Sequence, residues 1–335
     1  MPYAFDELKD LARKLPSELD IANPVYWYCS ALVAQLAYYH VEKFEIDERK
    51  RAKLVPSEGY RAILREGTPP DVRAYLRSLG LDEGEGPGQA FVASTRGVSA
   101  IGFAVADKLF VGMRGTIFFS AFDWVRNLSV WKTDQLEHRY HGGFFSEAAW
   151  ICGKLEQYVE PAIKSGRTIC FCGHSLGGAV AAISSEIFRS KHSAGRNIFG
   201  CVFGTPRYRE ESPVLGCGRP YCSICNRLVH IRRRGDKVPD VVPRLLGYSN
   251  IPTQFDASGR PTDGVGDHWY SGFTDSAKFA LKLFKAHKME TYRTEMGRLS
   301  GAKYWGEAFI KGFGMLGGRD VLVTSREWRE FEGGH

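Results

Sequence analysis

The chain has 335 residues, 44% of them hydrophobic and 25% charged, with a formal net charge of +7. That is enough apolar material for one large α/β core. No apolar run approaches the length of a bilayer span. The short run Arg232-Arg233-Arg234 does not make a nucleic-acid-binding signature, so the basic excess is read as scattered surface charge that also suits an anionic interface.

In chain order, residues 1–90 read as helical. Leu8, Leu11 and Leu15 recur at helical spacing over 6–15. Pro24 opens a second helix over 25–40, with Trp27, Cys29, Leu32, Leu36 and Tyr39 as its apolar stripe. A shorter helix is expected over 71–79, after Pro69-Pro70, and the Gly-rich stretch 80–88 is a loop. The period then changes. Residues 90–93, 100–106 and 109–113 read as strands, the last two joined tightly at Asp107-Lys108. Residues 118–128 are amphipathic and unusually aromatic, and 143–163 form a helix. Strands follow at 168–172, 198–203 and 227–232, with a helix to about 188 after the first of them. Residues 207–226 are Pro-, Gly- and Cys-rich and read as loop, 271–288 as a helix, and the stretch after Gly297 is unassigned. Strands alternating with helices imply a mostly parallel sheet covered on both faces. The expected layout is one domain, with a helical layer at 1–90, a core at 91–292 and an extension at 293–335. Of the eight cysteines, several fall in expected core strands, where they act as small hydrophobes. Residues 1–20 alternate charge with Leu and carry no apolar leader. The default expectation is therefore a reduced, cytoplasmic protein, with non-classical export as the alternative.

Gly173-His174-Ser175-Leu176-Gly177 sits between the apolar 168–172 and a run of good helix formers. A serine on a sharp strand-to-helix turn has its hydroxyl pushed into the open, with the first N–H groups of a helix beside it. Serine needs a base in hydrogen-bond reach, and that base needs an orienting acid. Asp236 follows the strand at 227–232 and is the candidate acid, with Asp240 as fallback. His268 and His287 are the internal candidates for the base, and the residues alone do not separate them.

Several stretches together resemble the class 3, fungal-lipase-like α/β-hydrolases. Val111-Gly112-Met113-Arg114-Gly115-Thr116 resembles that family's strand ending in Arg-Gly-Thr. Asp123-Trp124 with Asn127-Leu128, and His141-Gly142-Gly143-Phe144, resemble the segments that follow it. The Ser175 turn, Phe203-Gly204-Thr205-Pro206-Arg207, and Asp236-Lys237-Val238-Pro239 complete the set, which covers residues 98–292. The resemblance implies an α/β-hydrolase fold and cleavage of lipid carboxylic esters through an acyl-enzyme, with no cofactor. Its ending His287-Lys288-Met289-Glu290-Thr291-Tyr292 selects His287 as the base. It also implies Thr116 and the Leu176 N–H as oxyanion donors. His174 and His141 are read as packing residues.

Residues 117–128 follow Thr116 directly, and Phe118, Phe122 and Trp124 make them a candidate lid and substrate-binding surface at a lipid interface. The bland alternative is a fixed core helix. Cys217, Cys222 and Cys225 with His230 resemble a zinc set, but His230 falls within a strand, so no metal site is assigned. Two rival functions are a phospholipase A-type effector and an inactive interaction module that keeps the fold. Retention of Ser175, Asp236, His287 and Thr116 together speaks against the latter.

Overall fold

The computed structural model describes residues 3–37, 90–94, 98–114, 132–136, 138–192, 197–210, 226–240, 242, 246–262 and 287–303. Helix α1 (Tyr3–Lys14) and a helix over residues 24–37, α2, precede the sheet. A seven-stranded sheet follows in the order β1 (Phe91–Ser94), β2 (Ser99–Val105), β3 (Lys108–Arg114), β6 (Thr168–His174), β7 (Ile198–Phe203), β9 (Leu228–Arg232), β11 (Gln254–Asp256). The first three strands are antiparallel neighbours, and β3, β6, β7, β9 and β11 run parallel. Helices α3 (Gly142–Lys164) and α4 (Leu176–Lys191) provide the crossovers around β6. Helix α5 (Met289–Leu299) closes the described chain. This is an α/β-hydrolase fold with a mostly parallel sheet.

Side chains of β6 alternate between two cores. Ile169 and Phe171 pack with α3 and α4, while Cys170 and Cys172 pack with α1, α2 and α5. Both faces of the strand are covered, so all seven of its residues are buried. Helices α1 and α2 account for residues 3–14 and 24–37 of the stretch expected to be helical. Residues 38–89, including the expected helix at 71–79, lie outside the described residues.

A second sheet was not anticipated. Its order is β10 (Tyr248–Ser249), β8 (Arg209–Glu210), β5 (His138–His141), β4 (Lys132–Gln135). These strands are two to four residues long and strongly polar, so no period-2 pattern marks them. β8 lies inside the stretch read as loop and pairs with both β5 and β10. The expected helix over 271–288 also needs correction at its end. His287 precedes a helix rather than ending one, with Lys288 extended at φ −82°, ψ 127°. The stripe that buries this helix is Met289, Tyr292 and Met296.

Candidate active site

Parallel strands deliver their carboxyl ends to one edge of the sheet, where sites on such folds assemble. Ser175 follows β6 at that edge with φ 60° and ψ −131°, a conformation that strains any residue bearing a Cβ. From Thr168 to Phe188 every residue is buried except Ser175. The turn closes tightly because Gly173 lets the Gly177 carbonyl press against its backbone, where a Cβ would collide. The Ser175 N–H donates to the Phe203 carbonyl at 3.0 Å, tying the turn to the end of β7.

The next residue on β7's trail is Gly204, at φ +53°. A Cβ on Gly204 would lie 2.6 Å from Asp236 Oδ2 and 3.0 Å from the His287 ring. The serine turn, Asp236 and His287 therefore meet around one small residue. His287 Nδ1 lies 2.8 Å from Asp236 Oδ2, across 51 positions of sequence. With Nδ1–H donated to the carboxylate, Nε2 carries the free lone pair. Nε2 is buried and has no hydrogen-bond partner among the described residues. Asp236 is itself held by the Val238 N–H at 3.0 Å on Oδ1 and by the Tyr292 hydroxyl at 2.6 Å on Oδ2.

The break before α5 has a geometric reason. Positions 287 and 292 of a continuous helix point about 140° apart. With Lys288 extended, both side chains reach the same carboxylate oxygen.

The other candidates sort cleanly. Asp240 is bound by two buried guanidiniums, Arg207 at 2.9 Å and Arg232 at 2.9 Å on each oxygen. Its carboxylate is committed to that cluster. The His174 ring lies 4.3 Å from that of His287, and burial, reinforced by His287, pushes its pKa well below the ordinary imidazole value. It is a neutral packing wall. His141 stacks on Phe144 at 4.1 Å at the start of α3, and burial pulls its pKa down to about 4. His230 Nε2 accepts the Thr205 N–H at 2.9 Å, which commits that nitrogen within the sheet. Leu176 opens α4, so its N–H has no intrahelical acceptor and sits beside Ser175. Thr116, Phe118, Phe122, Trp124, Cys217, Cys222, Cys225 and His268 lie outside the described residues. No group of three His, Cys, Asp or Glu suited to a metal occurs among the described residues, and no described helix is long and apolar enough to cross a membrane.

Comparison with known proteins bears on this arrangement. Residues 110–246 match the family model of Lipase (class 3). This part of the chain is similar to the class 3 lipases. The matched segment contains Ser175 and Asp236 but stops short of His287. Solved lipases from fungi are structurally similar. The lipase of Rhizomucor miehei, in a propeptide complex, is 16% identical, with 56% of this chain and 64% of that one covered and a TM-score of 0.42. The lipase of Rhizopus microsporus var. chinensis is 19% identical, covering 53% and 64%, with a TM-score of 0.44. Lipase II of Rhizopus niveus is 16% identical, covering 64% and 81%, at 0.44. The chain thus spans 64% of the length of the first two.

Two features of the site were not foreseen. Tyr292 was visible as the last residue of the ending motif, without a role. The Arg207–Asp240–Arg232 cluster had no local signal, because its members come from three separate segments.

Proposed function

We propose that the protein hydrolyses carboxylic esters of lipids by a Ser175–His287–Asp236 triad. The observation that carries the reading is the buried His287–Asp236 pair beside the turn that carries the half-buried Ser175, joined through Gly204. Ser175 Oγ attacks the acyl carbonyl while His287 Nε2 takes its proton. The tetrahedral oxyanion collapses, the alkoxide leaves, and His287 returns the proton to it as the alcohol. Water, deprotonated by the same nitrogen, then releases the acid and regenerates Ser175. Asp236 holds the imidazole in its Nδ1–H tautomer and offsets the imidazolium charge. The Leu176 N–H and the Thr116 hydroxyl stabilise the oxyanion, an interaction worth about 10²–10³ in kcat per donor. No cofactor enters the cycle. Phe118, Phe122 and Trp124 form a lid that meets the lipid interface. The whole chain acts as one catalytic domain.

The test is hydrolysis of p-nitrophenyl esters and emulsified acylglycerols by wild type and Ser175→Ala. The variant should fold normally and lose on the order of 10⁴-fold or more in kcat. A folded Ser175→Ala protein with near-native turnover refutes the mechanism.

A further inference from the structure

One oxygen of Asp236 receives two donors, His287 Nδ1 at 2.8 Å and the Tyr292 hydroxyl at 2.6 Å. We propose that Tyr292 is a positioning residue that tunes the basicity of His287 through this shared oxygen; the inference rests on the triad reading above.

Tyr292 has no freedom to do anything else with its proton. Its side chain is fully buried. The ring is bracketed by Phe203 at 5.9 Å and 64°, by His174 at 5.7 Å and 60°, and by the Arg233 guanidinium 5.8 Å from its centroid. The Arg233 N–H donates to the phenol oxygen at 3.2 Å, so the hydroxyl proton is directed at Asp236. Arg233 Nε also donates to Glu295 at 2.7 Å, one turn along α5, which fixes the loop after β9 to that helix. Burial, and then the neighbouring carboxylate, raise the phenol pKa well above its ordinary value, so the group stays a donor at every working pH.

A donor on Oδ2 draws negative charge away from the side of the carboxylate that faces His287. Without it the carboxylate becomes more basic and holds the imidazolium more tightly. His287 then keeps its proton to a higher pH, and the acid limb of kcat/KM moves up. The other charged and titratable groups around the pair are unchanged by removing one oxygen atom. His174 is held neutral by burial, Arg233 is paired with Glu295, and Arg207 and Arg232 are paired with Asp240. Lys237 and Lys288 adjoin the pair in sequence.

The experiment measures kcat, KM and the pH profile of kcat/KM on a soluble p-nitrophenyl ester. Active sites are counted by titration with a p-nitrophenyl phosphonate. Tyr292→Phe should lose about tenfold in kcat per titrated site, with KM unchanged and the acid limb shifted up by about half a pH unit. Placing 3-fluorotyrosine at 292, a more acidic phenol and stronger donor, should shift the limb down. A folded Tyr292→Phe enzyme with its acid limb in place overturns the proposal. Should the Phe variant not fold, the fluorotyrosine enzyme decides, and a limb that is unmoved or moved up overturns it. Ser175→Ala in the same assay separates the two readings. If it retains turnover, the triad itself fails. If it is inactive while the limb ignores both changes at 292, only the role of Tyr292 fails.

Discussion

Gly204→Ala tests the geometry of the site without touching a reacting group. Two costs act on it. The backbone sits at φ +53°, where a Cβ costs about 1–2 kcal/mol. The new methyl would also lie 2.6 Å from Asp236 Oδ2 and 3.0 Å from His287, whereas ordinary contact starts at 3.4 Å. The carboxylate must therefore retreat by about 0.8 Å, and the imidazole by about half that. Asp236 has little room, because the Val238 N–H and the Tyr292 hydroxyl hold it from behind. Misplacement of a catalytic group by roughly 1 Å costs on the order of 10²-fold in rate. Gly204→Ala should thus lose about 10²-fold in kcat on a soluble ester and about 1–3 kcal/mol in denaturant unfolding. Gly301→Ala supplies the control. Its φ is +69° and a Cβ there meets nothing within 4 Å. It should lose about 1 kcal/mol of stability and keep full kcat. A Gly204→Ala enzyme with native kcat, or equal losses of activity in both variants, would refute the convergence of Asp236 and His287 on Gly204 as the source of activity.

His287→Ala should cost on the order of 10⁴-fold in kcat, and His268→Ala should be much milder; the reverse ranking in steady-state kinetics reassigns the base. Stability should fall on acidification. His141, His174 and His230 are buried and neutral in the fold, with burial pulling His141 to about 4 and the other two well below the ordinary imidazole value. Below about pH 6.5 the unfolded chain binds protons at these rings and the folded chain does not. Their stabilisation is complete above about pH 6.5 and is lost as pH falls towards 4, with His141 alone accounting for roughly 3 kcal/mol. Denaturant midpoints from pH 7.5 to 4.5 should trace this loss, and a flat profile over that range counts against the buried neutral rings.

Much of this site could be read before any coordinates, and the reason is local chemistry. The Ser175 turn needs small residues, a strand before it and a helix after it, and all three requirements are written in one continuous stretch. Asp236 follows the short, mostly apolar strand Leu228-Val229-His230-Ile231. His287 was harder. From the residues alone it stood level with His268, and the resemblance rather than any spacing rule separated them. The structure brings it within hydrogen-bond distance of Asp236. It does not end a helix, as the reading over 271–288 expects, because no Gly or Pro between Phe273 and Tyr292 marks the break at Lys288. The described helix after it is buried through Met289, Tyr292 and Met296. The second sheet escaped for the opposite reason. Its short strands are held by charge, with Lys132 and Arg139 both on Glu210, and charge pairing across strands leaves no period in the sequence.

Helices α1 and α2 are remote from Ser175, Asp236 and His287 in sequence but share a core with their neighbours. On the face of the sheet that it covers, β6 and β7 present Cys170, Cys172 and Cys201, and β3 presents Gly112 so close to α2 that a Cβ would lie 2.6 Å from the Val33 carbonyl. Small side chains let α2 lie low on the sheet. Tyr26, Trp27 and Cys29 share one apolar cluster with Phe203, Met289, Tyr292 and Met296. Phe203 is the residue whose carbonyl holds the Ser175 N–H, and Tyr292 is the residue that grips Asp236. A close-packed interior moves as a unit rather than side chain by side chain. The first helices are therefore packed in one cluster with the residue that anchors the serine turn and with the helix behind His287.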